Sequence, residues 1–276
     1  MNRNVRGAAF AAAPFLLGSA AHAQWSSGYT APRNAVVDAS GARIVQVEAS
    51  AGSLRVVGRA GVRQVQITGT ARSSSQELLS RIKVIAERRG DVVFIKSDMP
   101  DDEWRSNRDN HSAALDLVIV VPQGMNADLA DGSGDLEIVN VGSIELSDGS
   151  GEITIESAGG SVSVTDGSGQ VTIDNVRGDV RVSDGSGDIN VKNVSGSFTV
   201  RTDGSGGISA SDIRGSVIVE NDGSGDIDAS KIGRDFTVES KGGGSIHYRE
   251  AADRWIFPSA TGTATGKKTA SQLVLD

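Results

Sequence analysis

Between Leu136 and Val238 the apolar positions fall into one figure, repeated six times. In one copy it reads Ile189, Val191, Val194, Phe198 and Val200. The same five places hold Leu136, Ile138, Val141, Ile144 and Leu146 in the first copy, and Ile227, Ala229, Ile232, Phe236 and Val238 in the last. All thirty such positions are apolar, and most residues between them are Thr, Ser, Asp, Glu, Asn, Arg or Lys. Apolar side chains at i and i+2 predict short strands with one buried and one solvated face, so each copy carries two strands. The inner positions are rich in β-branched residues, which suit a pleated surface.

Two turns separate these strands. One is the tetrapeptide Asp-Gly-Ser-Gly, which begins at Asp131, Asp148, Asp166, Asp184, Asp203 and Asp222, at spacings of 17, 18, 18, 19 and 19 residues. A degenerate copy, Lys241-Gly242-Gly243-Gly244, follows 19 residues later. The other turn lies near Gly142, Gly160, Gly178, Gly196, Gly215 and Gly233. A fixed period of this length means stacked small units, each burying its apolar face only against its neighbours. Strands too short to form hairpins stack parallel on their copies in the next turn. The pattern therefore predicts an all-β fold, a single-stranded parallel β-helix (β-solenoid) with 18–19 residues in most rungs. At about 4.8 Å per rung, the regular part would be a rod roughly 30 Å long. Parallel crossovers favour the right hand.

The chain divides into four stretches on this reading: 1–23, 24–130, 131–249 and 250–276. The first has the form of a secretory signal peptide, with Arg3 and Arg6, an apolar run from Ala8 to Leu17, and an Ala21-His22-Ala23 cleavage site. Residues 24–130 continue the strand signal without a strict period. Expected strands there are Ala35–Val37, Ile44–Val47, Leu54–Val57, Val65–Thr68 and Leu115–Val121, with a hairpin pairing Ile82–Ala86 to Val92–Lys96 and a helical turn over Ser73–Leu79 with Ser75 at its N-cap. This part reads as the entrance to the solenoid, with looser rungs, and Asp98–Ser112 as a polar insertion. Residues 250–276 read as a C-terminal cap plugged by Trp255, Ile256 and Phe257.

Charge and composition narrow the address. The formal net charge is −8, and it becomes −10 once Arg3 and Arg6 leave with the leader. A net acidic chain is a poor partner for nucleic acid or an anionic lipid surface. No stretch is long and apolar enough to insert in a membrane. There is no cysteine, which excludes disulfides, thiolate metal sites and a lipid-anchored N-terminal Cys. The expected location is the periplasm or the exterior.

The Asp column is the sharpest chemical candidate. Asp131, Asp148, Asp166, Asp184, Asp203 and Asp222 should stack one rung apart, and Asp135, Glu152, Asp188 and Asp226 form a second, interrupted column. Stacked carboxylates repel, and a hard cation such as calcium would relieve them. A calcium β-roll, however, needs an Asp two residues after the last Gly of the turn. Leu136, Ile153, Val171, Ile189, Ile208 and Ile227 stand there instead. The simpler reading makes each Asp a turn residue whose side chain accepts backbone N–H bonds.

Other motifs carry less. Arg89-Gly90-Asp91 is an integrin-like tripeptide at a hairpin tip. The histidines outside the leader are His111 and His247, and no nucleophile-elbow sequence supports a Ser-His-Asp set. Gly262–Thr269 misses phosphate-loop spacing by one residue.

Gly52-Ser-Leu-Arg-Val-Val-Gly, Val65-Gln-Ile-Thr-Gly-Thr-Ala-Arg and Leu117-Val-Ile-Val-Val-Pro, in that order, lead into the repeats. In these features the chain resembles the bacterial "putative adhesin" family, domain-of-unknown-function family 4097, related to autotransporter adhesin head domains. The resemblance implies a β-solenoid with no established catalytic residues. Taken together, these features lead to an exported, non-enzymatic solenoid that binds or scaffolds, with a cell-envelope protein or surface glycan as partner. Two other readings stand beside it: a calcium-binding β-roll that folds after export, and a polysaccharide-degrading β-helix enzyme.

Overall fold

The computed structural model describes residues 28–100, 112–250, 254–259, 262–267 and 272–275. Residues 1–23 of the expected leader and residues 101–111 of the polar insertion, His111 among them, lie outside the described residues. Two parallel sheets run the length of the rod. One contains Leu136–Val139, Ile153–Ala158, Val171–Val176, Ile189–Val194, Ile208–Ile213 and Ile227–Ile232. The facing sheet contains Ile144–Asp148, Val162–Asp166, Val180–Asp184, Phe198–Asp203, Val217–Val219 and Phe236–Val238. All thirty predicted inner positions are buried and belong to one core. Like stacks on like, as in Ile153 on Val171 and Ile155 on Ile173, or Val162 on Val180 and Val164 on Val182.

The uneven period has a local cause. Val182 pairs with Val200, but Ser183 pairs with Thr202, so Arg201 is an extra residue bulged out of the ladder. The following copies keep this extra residue between the second inner Val and the corner, as in Val219-Glu220-Asn221-Asp222. The rungs of the entrance do not stack in chain order. Ile44–Glu48 lies between Val92–Asp98 and Asn126–Ala130, and Leu54–Arg59 lies between Ala113–Pro122 and Leu136–Val139. The rung Ile44–Arg59 is thus inserted between two rungs made later in the sequence. Strand alternation says that these segments belong in the stack, but not where they stack.

Antiparallel strands cover the first end: Gln64–Ser73 on Ala113–Pro122, and Lys83–Arg89 on Val92–Asp98. They replace an open edge that would template further pairing. The helix Gln76–Arg81 lies here, with Ser75 at its N-cap position but without a side-chain capping bond. At the other end Arg254–Ser259 pairs with Phe236–Val238. Phe257 is fully buried against Phe236 and Tyr248, while Trp255 is half-buried and stacks on Phe257 at 5.4 Å. Gly262–Lys267 forms a strand against Arg254–Ser259.

The second corner uses a left-handed residue in every rung. Asn140, Ser157, Asn175, Asn193, Asp212, Lys231 and Glu250 have φ of 54–60°. Asn tolerates this region better than most residues. Ser157→Asn should therefore raise stability by roughly 0.5–1 kcal/mol, read as a higher urea midpoint at unchanged slope.

Candidate functional site: an interior aspartate ladder and a corner groove

The Asp-Gly-Ser-Gly corners turn their aspartates inward. Along Ile144–Asp148 the buried positions are Ile144, Leu146 and Asp148, and Val162–Asp166 and Val180–Asp184 repeat this alternation. Exposure falls from 7% at Asp131 to 1% at Asp203 and Asp222, so these carboxyls belong to the interior. Asp148 stacks on Asp166, Asp166 on Asp184, Asp184 on Asp203, and Asp203 on Asp222.

The turn role is present but incomplete. Asp131 Oδ1 accepts the Gly132 N–H at 2.9 Å, and Asp166 and Asp184 Oδ1 accept Ser168 and Ser186 N–H at 3.3 and 3.2 Å. Their Oδ2 atoms are buried without a hydrogen-bond partner, as are both oxygens of Asp148 and Asp203. Burial raises the Asp131 carboxyl to about 7, helped by repulsion from Asp148. Asp148 and Asp184 rise to about 6, from burial first and repulsion by Asp166 second. Asp166 is also raised by burial, and Asp203 reaches about 7 from burial, Asp222 and then Asp184.

One cation ends this ladder. Lys241 occupies the Asp place of the seventh turn and pairs in register with Asp222. Its Nζ lies 3.1 Å from Asp222 Oδ2 and donates to the carbonyls of Gly225 and Gly243. Both side chains are buried. The second acidic column behaves differently: Asp135, Asp188 and Asp226 are exposed, and each accepts an N–H from the next rung. Among the described residues no three metal-ligating side chains converge on one point. A straight ladder offers two carboxyls per gap, whereas calcium takes six to eight oxygens. As to the other motifs, Arg89 is held by Glu87 and lies 3.7 Å over the Phe94 ring, and His247 is a half-buried strand residue.

A groove was not foreseen from the sequence. It follows the left-handed corner along the rod. A cavity of 670 Å³ is lined by Asn175, Asn193, Asp212, Arg214 and Lys231. A neighbouring cavity of 340 Å³, lined by Asn140, Ser157 and Arg177, shares Asn175 with it. Asn175 donates to Ser157 Oγ at 3.1 Å, and Asn193 to Asp174 Oδ1 at 2.7 Å. The enrichment of Asn at one place in the repeat was the available signal.

An end-capped, two-sheet parallel solenoid with polar corners belongs to the class of repeat-built β-proteins whose long faces are available for contact. The chain is a member of the Toastrack DUF4097 family, whose model matches residues 63–250. A solved "putative adhesin" from Bacteroides fragilis is similar, with a TM-score of 0.50 at 16% identity, covering 78% of this chain and 94% of that one. A "putative lipid binding protein" from Parabacteroides distasonis gives a TM-score of 0.39 at 14% identity, covering 78% and 95%. At these identities the likeness concerns the fold. No curated protein matches the chain. No helix among the described residues is long and apolar enough to cross a membrane.

Proposed function

We propose that this chain is an exported, adhesin-like binding module that holds a linear glycan of the cell envelope along its corner groove. The groove carries this reading. It offers amide, hydroxyl and guanidinium groups at successive rungs, about 4.8 Å apart, which suits the repeated hydroxyls of an extended polysaccharide. The leader-like start and the adhesin-like solved relative support export and surface binding. Catalysis finds no support in these residues. The ladder carboxyls are enclosed, and the groove acids Asp174 and Asp212 are tied to Lys192 and Lys231 at 3.4 and 3.3 Å.

The test is retention of the purified chain on immobilised envelope polysaccharides, beside an Arg177→Ala/Arg214→Ala variant. We expect retention by the parent chain and at least a tenfold loss in the variant, about 1.4 kcal/mol, at an unchanged melting point. Retention equal in both chains, capture of envelope protein alone, or release of shortened glycan would each overturn the reading.

A further inference from the structure

The interior ladder raises a problem that the groove does not address. Six aspartates are buried along the core, five of them stacked in register from Asp148 to Asp222, and each of the six has at least one buried oxygen without a hydrogen-bond donor. Left fully ionised, such a column would place like charges about 4.8 Å apart in a medium that screens them poorly. Natural folds do not leave buried polar atoms unpaired without a reason.

The surroundings limit what can neutralise it. Among the described residues the cation of the column is Lys241, which meets Asp222 at the last rung. Asp188 is a further acid acting on Asp203. At its first rung Asp131 lines a corner with Ala49 and Ser50, and the Ser97 hydroxyl donates to Ser50 Oγ at 3.3 Å. On the strands that carry the aspartates, the other inward residues are apolar, such as Val162 and Val164 before Asp166. The facing strands also turn apolar residues inward, such as Ile153, Ile155 and Ala158. The donors to the column are backbone N–H groups at the corners, which engage Oδ1 of Asp131, Asp166 and Asp184. Asp148 and Asp166 are neighbours in register, where two carboxylates can only repel. One proton in that gap turns the repulsion into a short charge-assisted bond.

We propose that the aspartates form a proton-sharing ladder, in which carboxyl O–H groups bridge successive rungs along the rod and Lys241 supplies the compensating charge at the last one. Each bridge needs one proton and adds no other ligand. Because the folded chain binds these protons above the pH at which free aspartates lose them, the fold strengthens as the pH falls. The raised carboxyls at Asp131, Asp148, Asp184 and Asp203 set the window: the gain is complete below the ordinary carboxylate range near 4 and is lost as the pH rises through 6 to 7. Most proteins behave in the opposite way on acidification.

The experiment is a set of thermal melts of the purified chain in chelator between about pH 5 and about pH 8, with infrared spectra for the carbonyl stretch of protonated carboxylic acid. The comparison chain is Asp148→Asn/Asp166→Asn/Asp184→Asn, whose amides keep the shape and supply their own N–H donors. We expect the melting point of the parent to rise by roughly 5 °C or more toward the acid side. An acid band should persist near neutral pH, and the variant should lose both the slope and most of the band. A parent melting point that is flat or falls on acidification, with no acid band at neutral pH, would overturn the proposal. So would tight uptake of calcium by an ionised ladder. If the triple variant fails to fold, Asp166→Asn alone decides, because it removes the proton bridges on both of its sides.

Discussion

Gly187→Ala should cost more than about 3 kcal/mol, combining backbone strain and steric overlap, and should break the regular stack in its middle. Gly187 ends one Asp-Gly-Ser-Gly corner at φ +139°, and a Cβ there would lie 1.8 Å from the Gly169 carbonyl oxygen. Gly151, Gly169, Gly206 and Gly225 repeat this contact at 1.7–2.0 Å from the carbonyl of the preceding corner. The obstructing atom is backbone in every case, so no side-chain rotation relieves it. Gly61→Ala is the matched control. Its φ is +76°, and nothing lies within 4 Å of the added methyl. It should cost roughly 1–2 kcal/mol, the strain of a left-handed residue alone. Urea unfolding of the two variants measures the difference, and equal losses would mean that the corners do not stack this closely.

Lys241→Met should destabilise by about 3–5 kcal/mol, because it leaves Asp222 buried without its partner. The pair is enclosed, with side-chain exposures of 7% and 0%. Adding Asp222→Asn to the Lys241→Met chain should recover much of the loss, since the buried charge is then gone. A double-mutant cycle by urea unfolding reads this coupling directly. Additive losses would show that the two groups do not meet.

Much of this fold can be read directly in the chain. The thirty inner positions announce themselves because Val, Ile, Leu, Phe and Ala alternate with polar residues, and one rung repeats the next. The inward aim of the aspartates was readable too, since Val162, Val164 and Asp166 are spaced by two. The Asp-Gly-Ser-Gly corner reads as a turn in which Asp accepts backbone N–H bonds, and the bulge at Arg201 breaks the two-residue spacing in later rungs. Lys241 looked like decay of the motif because sequence shows a mismatch but not the carboxylate it meets. The place of Ile44–Arg59 was hidden for another reason. Period and alternation fix which face a strand buries, whereas stacking order depends on contacts between segments far apart in the chain.

That inserted rung separates two kinds of heritable change. From Asp148 to Gly244 every unit offers nearly the same surface above and below, so duplicating or deleting one would leave its neighbours matched. The segment from Ile44 to Val139 has no such freedom. Its strands interleave three passes of the chain, and removing any one pass would leave two surfaces that were never neighbours. Relatives of this protein should therefore differ in rod length by whole Asp-Gly-Ser-Gly units, while the block before them is inherited entire.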